Sequence, residues 1–183
     1  MTLIEMLVTI TIMGLVVAAI AGLLVEAAKT QVDVANRFQA QQDAVLALNK
    51  LRREMHCATA MTGPGAGASS YATITLATQC VTGGGTTVTW CTQPAYAGST
   101  NQFNLVRVTG TYSGSCDPTS IGMTFAEHLT TANIFSSYTC PTASSLGYVS
   151  VNLPVDTTPN DSKQAYDLTD DIVLRNTQRV VGC

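Results

Sequence analysis

The sequence predicts an α+β protein: a long N-terminal α-helix, apolar in its first half and amphipathic in its second, packed on a small antiparallel β-sheet head. Three observations lead there. The first 25 residues, MTLIEMLVTITIMGLVVAAIAGLLV, form one apolar run with a single charge, Glu5. No Pro or Gly interrupts the chain between Leu23 and Thr62. Beyond Gly63 it changes character, to short runs in which Thr alternates with Val, Ile and Leu between Gly-rich breaks.

The apolar run is long enough to cross a bilayer, because about 20 residues at ~1.5 Å rise span the hydrocarbon. A carboxylate in such a run is costly and persists only with a partner or a job. An ordinary secretory leader opens with Lys or Arg; Met-Thr-Leu-Ile-Glu instead reads as the start of a mature chain already cut. After Val25 the helix becomes amphipathic, with Val34, Phe38, Val45, Leu48, Arg52 and Met55 recurring at helical steps. A helix from residue 2 to about 56 would be on the order of 80 Å long. Gly63-Pro64-Gly65-Ala66-Gly67 breaks it.

In the head, Tyr71–Cys80, Thr86–Cys91 and Asn104–Tyr112 read as strands, with Gly83-Gly84-Gly85 as a hairpin turn between the first two. Shorter strands are expected at Gly147–Leu153, Ile172–Leu174 and Arg179–Val181, while Thr119–Ser145 reads as irregular. The hairpin would pair Cys80 with Val88 and Thr78 with Trp90. Ile74, Leu76, Val88 and Trp90 then share the apolar face turned to the helix.

Charged side chains make up only 11% of the chain, and the net charge is −3. Residues 1–56 hold five basic and five acidic groups, whereas residues 57–183 hold four basic and seven acidic. The head therefore carries the acidity and lacks the basic, aromatic surface that a nucleic acid needs, so no nucleic-acid partner is expected. Six cysteines, Cys57, Cys80, Cys91, Cys116, Cys140 and Cys183, lie outside the apolar run. An even count reads as an exported disulfide framework with fifteen pairings open. Cys91 points away from the helix-facing side of the hairpin, and Cys57 ends the helix. Cys57–Cys80 is therefore the first pairing expected and Cys91–Cys116 the next, leaving Cys140–Cys183. With no C-x-x-C and only His56 and His128 as imidazoles, no metal centre and no cofactor are expected.

Thr2-Leu3-Ile4-Glu5 ahead of an unbroken apolar helix resembles the amino terminus of class III signal-peptide proteins, the type IV pilins and type II secretion pseudopilins. The match is close over about 30 residues and architectural beyond them. The resemblance implies the pilin fold and a prepilin peptidase that cuts before Met1 and methylates its amine. It implies a homopolymer in which Glu5 pairs with the N-terminal amine of a neighbouring copy. Residues 1–25 would be the transmembrane and filament-core helix, 26–61 its amphipathic continuation, and 62–183 the extracellular head. The monomer would wait in the cytoplasmic membrane before pilus assembly machinery extrudes it into a cell-surface pilus. The alternative within the family is a minor pilin or pseudopilin with an adhesive or assembly-initiating role. Many pilins carry a proline in this apolar segment; here Gly14 and Gly22 stand in it and no proline precedes Pro64.

Other residues carry two readings each. Gly14 and Gly22 either permit close helix packing or let the helix unravel between them in a filament. The acidic run Asp156–Asp171 could ligate Ca²⁺, yet it lacks EF-hand spacing, and a solvated loop is the simpler expectation. His56 beside Cys57 is not a catalytic pair, since sequence neighbours on a helix point about 100° apart and no third group accompanies them. No catalytic residue is expected. Asn160-Asp161-Ser162 matches a glycosylation sequon, a pattern short enough to arise incidentally.

Overall fold

The computed structural model describes residues 2–63, 69–81, 87–112, 116, 122–142, 145–158 and 165–175. The chain divides into two compact units, residues 1–38 and 39–183. Helix α1, Leu3–His56, contributes to both. In the first unit it is the sole described element, and its large apolar side chains are exposed, Leu3, Leu15 and Leu23 among them.

The second unit is an α+β fold. The later part of α1 packs on an antiparallel sheet of eight strands: β1 Ala58–Thr62, β2 Tyr71–Leu76, β3 Thr87–Pro94, β4 Phe103–Thr109, β5 Met123–Leu129, β6 Phe135–Thr139, β7 Tyr148–Val155 and β8 Tyr166–Val173. Their order is β1-β2-β3-β4-β5-β7-β6, with β8 on β7. The sheet curls until its ends approach. Ser69 and Phe135 exchange both backbone bonds, at 2.8 and 3.2 Å, so β6 meets the residues leading into β2. Thr92 reinforces that seam by donating its hydroxyl to the carbonyl of Ala132 at 2.6 Å.

The helix-facing stripe is built mainly from alanine. Ala40, Ala44, Ala47, Leu48, Leu51, Glu54 and Met55 are buried at three- and four-residue steps. Small side chains let the sheet come close, and the larger ones fill the space between Trp90, Ile74, Leu105, Phe135 and Leu153. Leu48 and Met55 hold their expected places on the stripe, but Val34, Phe38 and Val45 are exposed, and Arg52 turns to an acidic partner. The helix ends at His56, the extent expected of it, and residues 58–61, expected in its amphipathic continuation, belong instead to β1, paired with β2 from Ala58 to Thr62.

Four further expectations are corrected. Strand β2 stops at Leu76, and Thr78–Cys80 is a 3-10 turn, so Cys80 lies outside the ladder. Ile74 pairs with Val88, and Ala72 with Trp90, not Cys80 and Thr78. The displacement is six residues, an even number, so each side chain keeps its face and Ile74, Leu76, Val88 and Trp90 are buried together. The stretch expected to be irregular contains β5 and β6. Asp167, Asp170 and Asp171 of the acidic run lie on β8, not in a loop. The Gly83-Gly84-Gly85 turn, the Arg179–Val181 strand and the Asn160 sequon lie outside the described residues.

One backbone feature is strained. Asn104 faces both Glu127 and His128 across an irregularity in the β4–β5 ladder, and His128 takes φ 61°, a region that favours glycine. The kink lets the His128 carbonyl accept the Asp156 amide at 2.9 Å.

Candidate functional site

The strongest candidate is the apolar stretch of α1. Its best window has mean hydropathy 2.6, is long and apolar enough to cross a membrane, and holds no buried residue. Beyond the first turn the peptide groups need no external partners because each is bonded along the helix, which is the condition for entering hydrocarbon. The exposed hydroxyls of Thr9 and Thr11 are likewise spent inward, donating to the carbonyls of Met6 and Val8 at 2.9 Å. Covering this surface is the chemistry it demands.

Glu5 sits in the first turn. Its Oε2 accepts the backbone amide of Thr2 at 2.8 Å, so it caps its own helix. A negative charge here also suits the positive end of the helix dipole. One carboxylate oxygen is thereby used within the chain, and Oε1 has no hydrogen-bond partner among the described residues. The partner expected for Glu5 is the Met1 amine of a neighbouring copy, and Met1 lies outside the described residues. Gly14 and Gly22 are both helical, and a Cβ added at either would meet nothing within 4 Å. Neither glycine is forced by local backbone geometry.

A second cluster anchors α1 to the sheet. Glu54 occupies a buried position in the alanine stripe and is matched from three sides. Trp90 donates Nε1–H to Oε2 at 2.9 Å, Arg107 donates Nε–H to both oxygens at 3.0 and 3.1 Å, and Lys50, one helical turn earlier, reaches Oε1 at 3.0 Å. A carboxylate 6% exposed would be costly without these partners. Arg52 makes a second tie, donating Nε–H and Nη2–H to Oδ2 of Asp170 on β8 at 3.0 and 2.8 Å. At the end of the helix, His56 is held below its ordinary pKa of 6.5, first by burial and then by the charges of Arg175 and Arg52, with Asp170 opposing.

Disulfides complete the anchor. Cys57, one residue past α1, joins Cys80, and the Ala77 amide bonds the Cys57 carbonyl at 2.9 Å beside it. Cys91 of β3 joins Cys116. Cys140 is disulfide-bonded, and its expected partner Cys183 lies outside the described residues. Among the described residues no group of three or more His, Cys, Asp or Glu side chains is placed to hold a metal ion.

Compared with protein families, curated proteins and solved structures, the chain matches none. Its architecture, one long N-terminal apolar helix with an antiparallel sheet packed on the later part, is pilin-like.

The sequence reading missed the Glu54 cluster. Its signal was present: Glu54 falls in step with Ala40, Ala44, Ala47 and Leu51, and a carboxylate on an apolar stripe needs partners. The single tryptophan and the one basic residue of the central strands were the available ones.

Proposed function

We propose that the chain is the structural subunit of a type IV pilus-like filament, polymerising through its N-terminal helix. The observation that carries this reading is the apolar stretch of α1, which holds no buried residue and so requires a covering phase. Lipid covers it in the monomer; the same stretches of neighbouring copies cover it in the filament. Exchange of hydrocarbon for other apolar helices is nearly neutral in hydrophobic terms, so assembly is steered by polar contacts and shape. Glu5 supplies the steering. Its unused oxygen meets the terminal amine of the next copy, and any axial register that leaves the carboxylate bare is penalised. The monomer resides in the cytoplasmic membrane, and the filament stands on the cell surface.

The Thr2-Leu3-Ile4-Glu5 opening supports the pilin class over an ordinary membrane-anchored domain, as does the disulfide-bonded sheet packed on the same helix. The test is Glu5→Ala. Membrane-fraction monomer should stay at the wild-type level while sheared surface filaments fall at least tenfold. Filaments in normal yield from the variant would overturn the pairing role. If the wild-type strain yields no filament containing this chain, the reading itself is wrong.

A further inference from the structure

A polar groove of about 480 Å³ opens on the sheet over β6, β7 and β8, within the roughly 300–1,000 Å³ range of small-molecule sites. It lies where the β6–β7 ladder is broken: Phe135 pairs with Val151 and Ser137 with Ser150, leaving Ser136 as the extra residue. Strand parity sends Val149, Val151 and Leu153 into the core and turns Ser150 and Asn152 the other way. Asp171 and Thr169 of β8 stand opposite Ser150 and Asn152.

The hydrogen-bond inventory of the groove is specific. Ser136 donates to the Ser150 carbonyl at 3.1 Å, and Ser150 donates to Oδ1 of Asp171. Oδ2 of Asp171 has no hydrogen-bond partner among the described residues. Asn152 Oδ1 is shielded from solvent and also has none. The Asn152 amide nitrogen and the exposed Thr169 hydroxyl remain as donors. Acceptors and donors thus alternate across two neighbouring strands. A divalent cation would use only the acceptors, and the other carboxylate there, Asp170, is already taken by Arg52. A lone ammonium would leave the donors unmet. A ligand whose neighbouring groups each donate and accept would satisfy those that face the groove, Asp171 Oδ2, Asn152 Nδ2 and the Thr169 hydroxyl.

We propose that this groove binds a sugar ring, with one of a vicinal pair of hydroxyls donating to Asp171 Oδ2 and the pair accepting from Asn152 Nδ2 and the Thr169 hydroxyl. The proposal does not depend on filament assembly. The groove is open, so binding to a single ring is weak, in the millimolar range.

The test uses the full chain in a detergent without a sugar headgroup. Methyl glycosides of mannose, galactose, glucose and N-acetylglucosamine are the probes, each at about 10 mM, read by saturation-transfer difference NMR. At least one probe should give ring-proton signals that fall fivefold or more in both Asn152→Ala and Asp171→Asn. Thr169→Val serves as a third variant should either fail to keep the wild-type melting temperature. Absence of signal from all four probes overturns the proposal. So do signals that persist unchanged in every folded variant. Displacement of the sugars by Ca²⁺ or by lysine, with those ions saturating the groove, overturns it as well.

Discussion

Glu54 shows how much one side chain can decide. It accepts from Trp90, Arg107 and Lys50, and removing it would leave an indole N–H and a guanidinium facing a small cavity. Glu54→Ala should destabilise the head by about 2–4 kcal/mol, a little below a fully buried pair because Lys50 and Arg107 keep some solvent. Glu54→Gln preserves an oxygen for Trp90 and should cost less. Trp90 is the chain's single tryptophan and fully buried, so its fluorescence during guanidinium unfolding reads the loss directly. His56 behaves differently. Its pKa is lowered by burial, then by Arg175 and Arg52, so between that lowered value and 6.5 the unfolded chain binds more protons than the folded one. Stability is therefore fully present above 6.5 and is lost as the pH falls through the folded pKa. The melting temperature should drop on mild acidification, and His56→Gln should flatten that slope. An equal slope in the variant would assign the acid sensitivity elsewhere.

Secondary-structure elements explain what could and could not be read in advance. The extent of α1 was legible because an uninterrupted run without Pro or Gly leaves few alternatives. Its packing face was legible only in part: Leu48 and Met55 are buried as expected, but Ala40, Ala44 and Ala47 are less conspicuous than Val34, Phe38 and Val45, which are exposed. Close approach selects small residues, whereas hydropathy highlights large ones. Ala44 and Ala47 have no exposed surface, so Ala47→Leu should overpack the helix–sheet contact and cost about 1–3 kcal/mol. Leu46→Ala, at a position 64% exposed, should stay within roughly 0.5 kcal/mol. Parallel thermal melts of the two variants decide the matter, and equal losses would refute the alanine face. In the sheet, face parity was readable but register was not. Parity follows from alternation along each strand; register depends on where the strand stops, and β2 gives way at Ala77 to a 3-10 turn that no alternation announces. The Cys57–Cys80 pairing came out as expected although Cys80 has left the ladder, because the turn at Thr78–Cys80 follows Ala77, whose amide bonds the Cys57 carbonyl at the end of the helix. The strands β5 and β6 escaped notice because bulges and short lengths blur their alternation.

For the whole molecule, the apolar opening and the sheet packed on the later helix were visible together, since period and composition change sharply near Gly63. The polar groove and the Glu54 cluster were not, because each gathers residues from three or more segments far apart in sequence. The two described disulfides carry one more implication, for a chain that is pulled. Cys57 and Cys80 are 23 residues apart and 6.1 Å apart in space. At ~3.5 Å per extended residue, that bridge withholds roughly 80 Å of contour length from any stretching force. The Cys91–Cys116 bridge, with a separation of 25 residues, withholds a similar amount. A tether fixed to α1 and to β8 would meet these locks after the noncovalent contacts of Glu54 and Arg52 had given way. In single-molecule stretching, a Cys57→Ser/Cys80→Ser double variant should lengthen on unfolding by roughly 80 Å more than the native chain. The native molecule is thus a spring with a built-in stop, yielding over a limited distance before the load passes to covalent bonds.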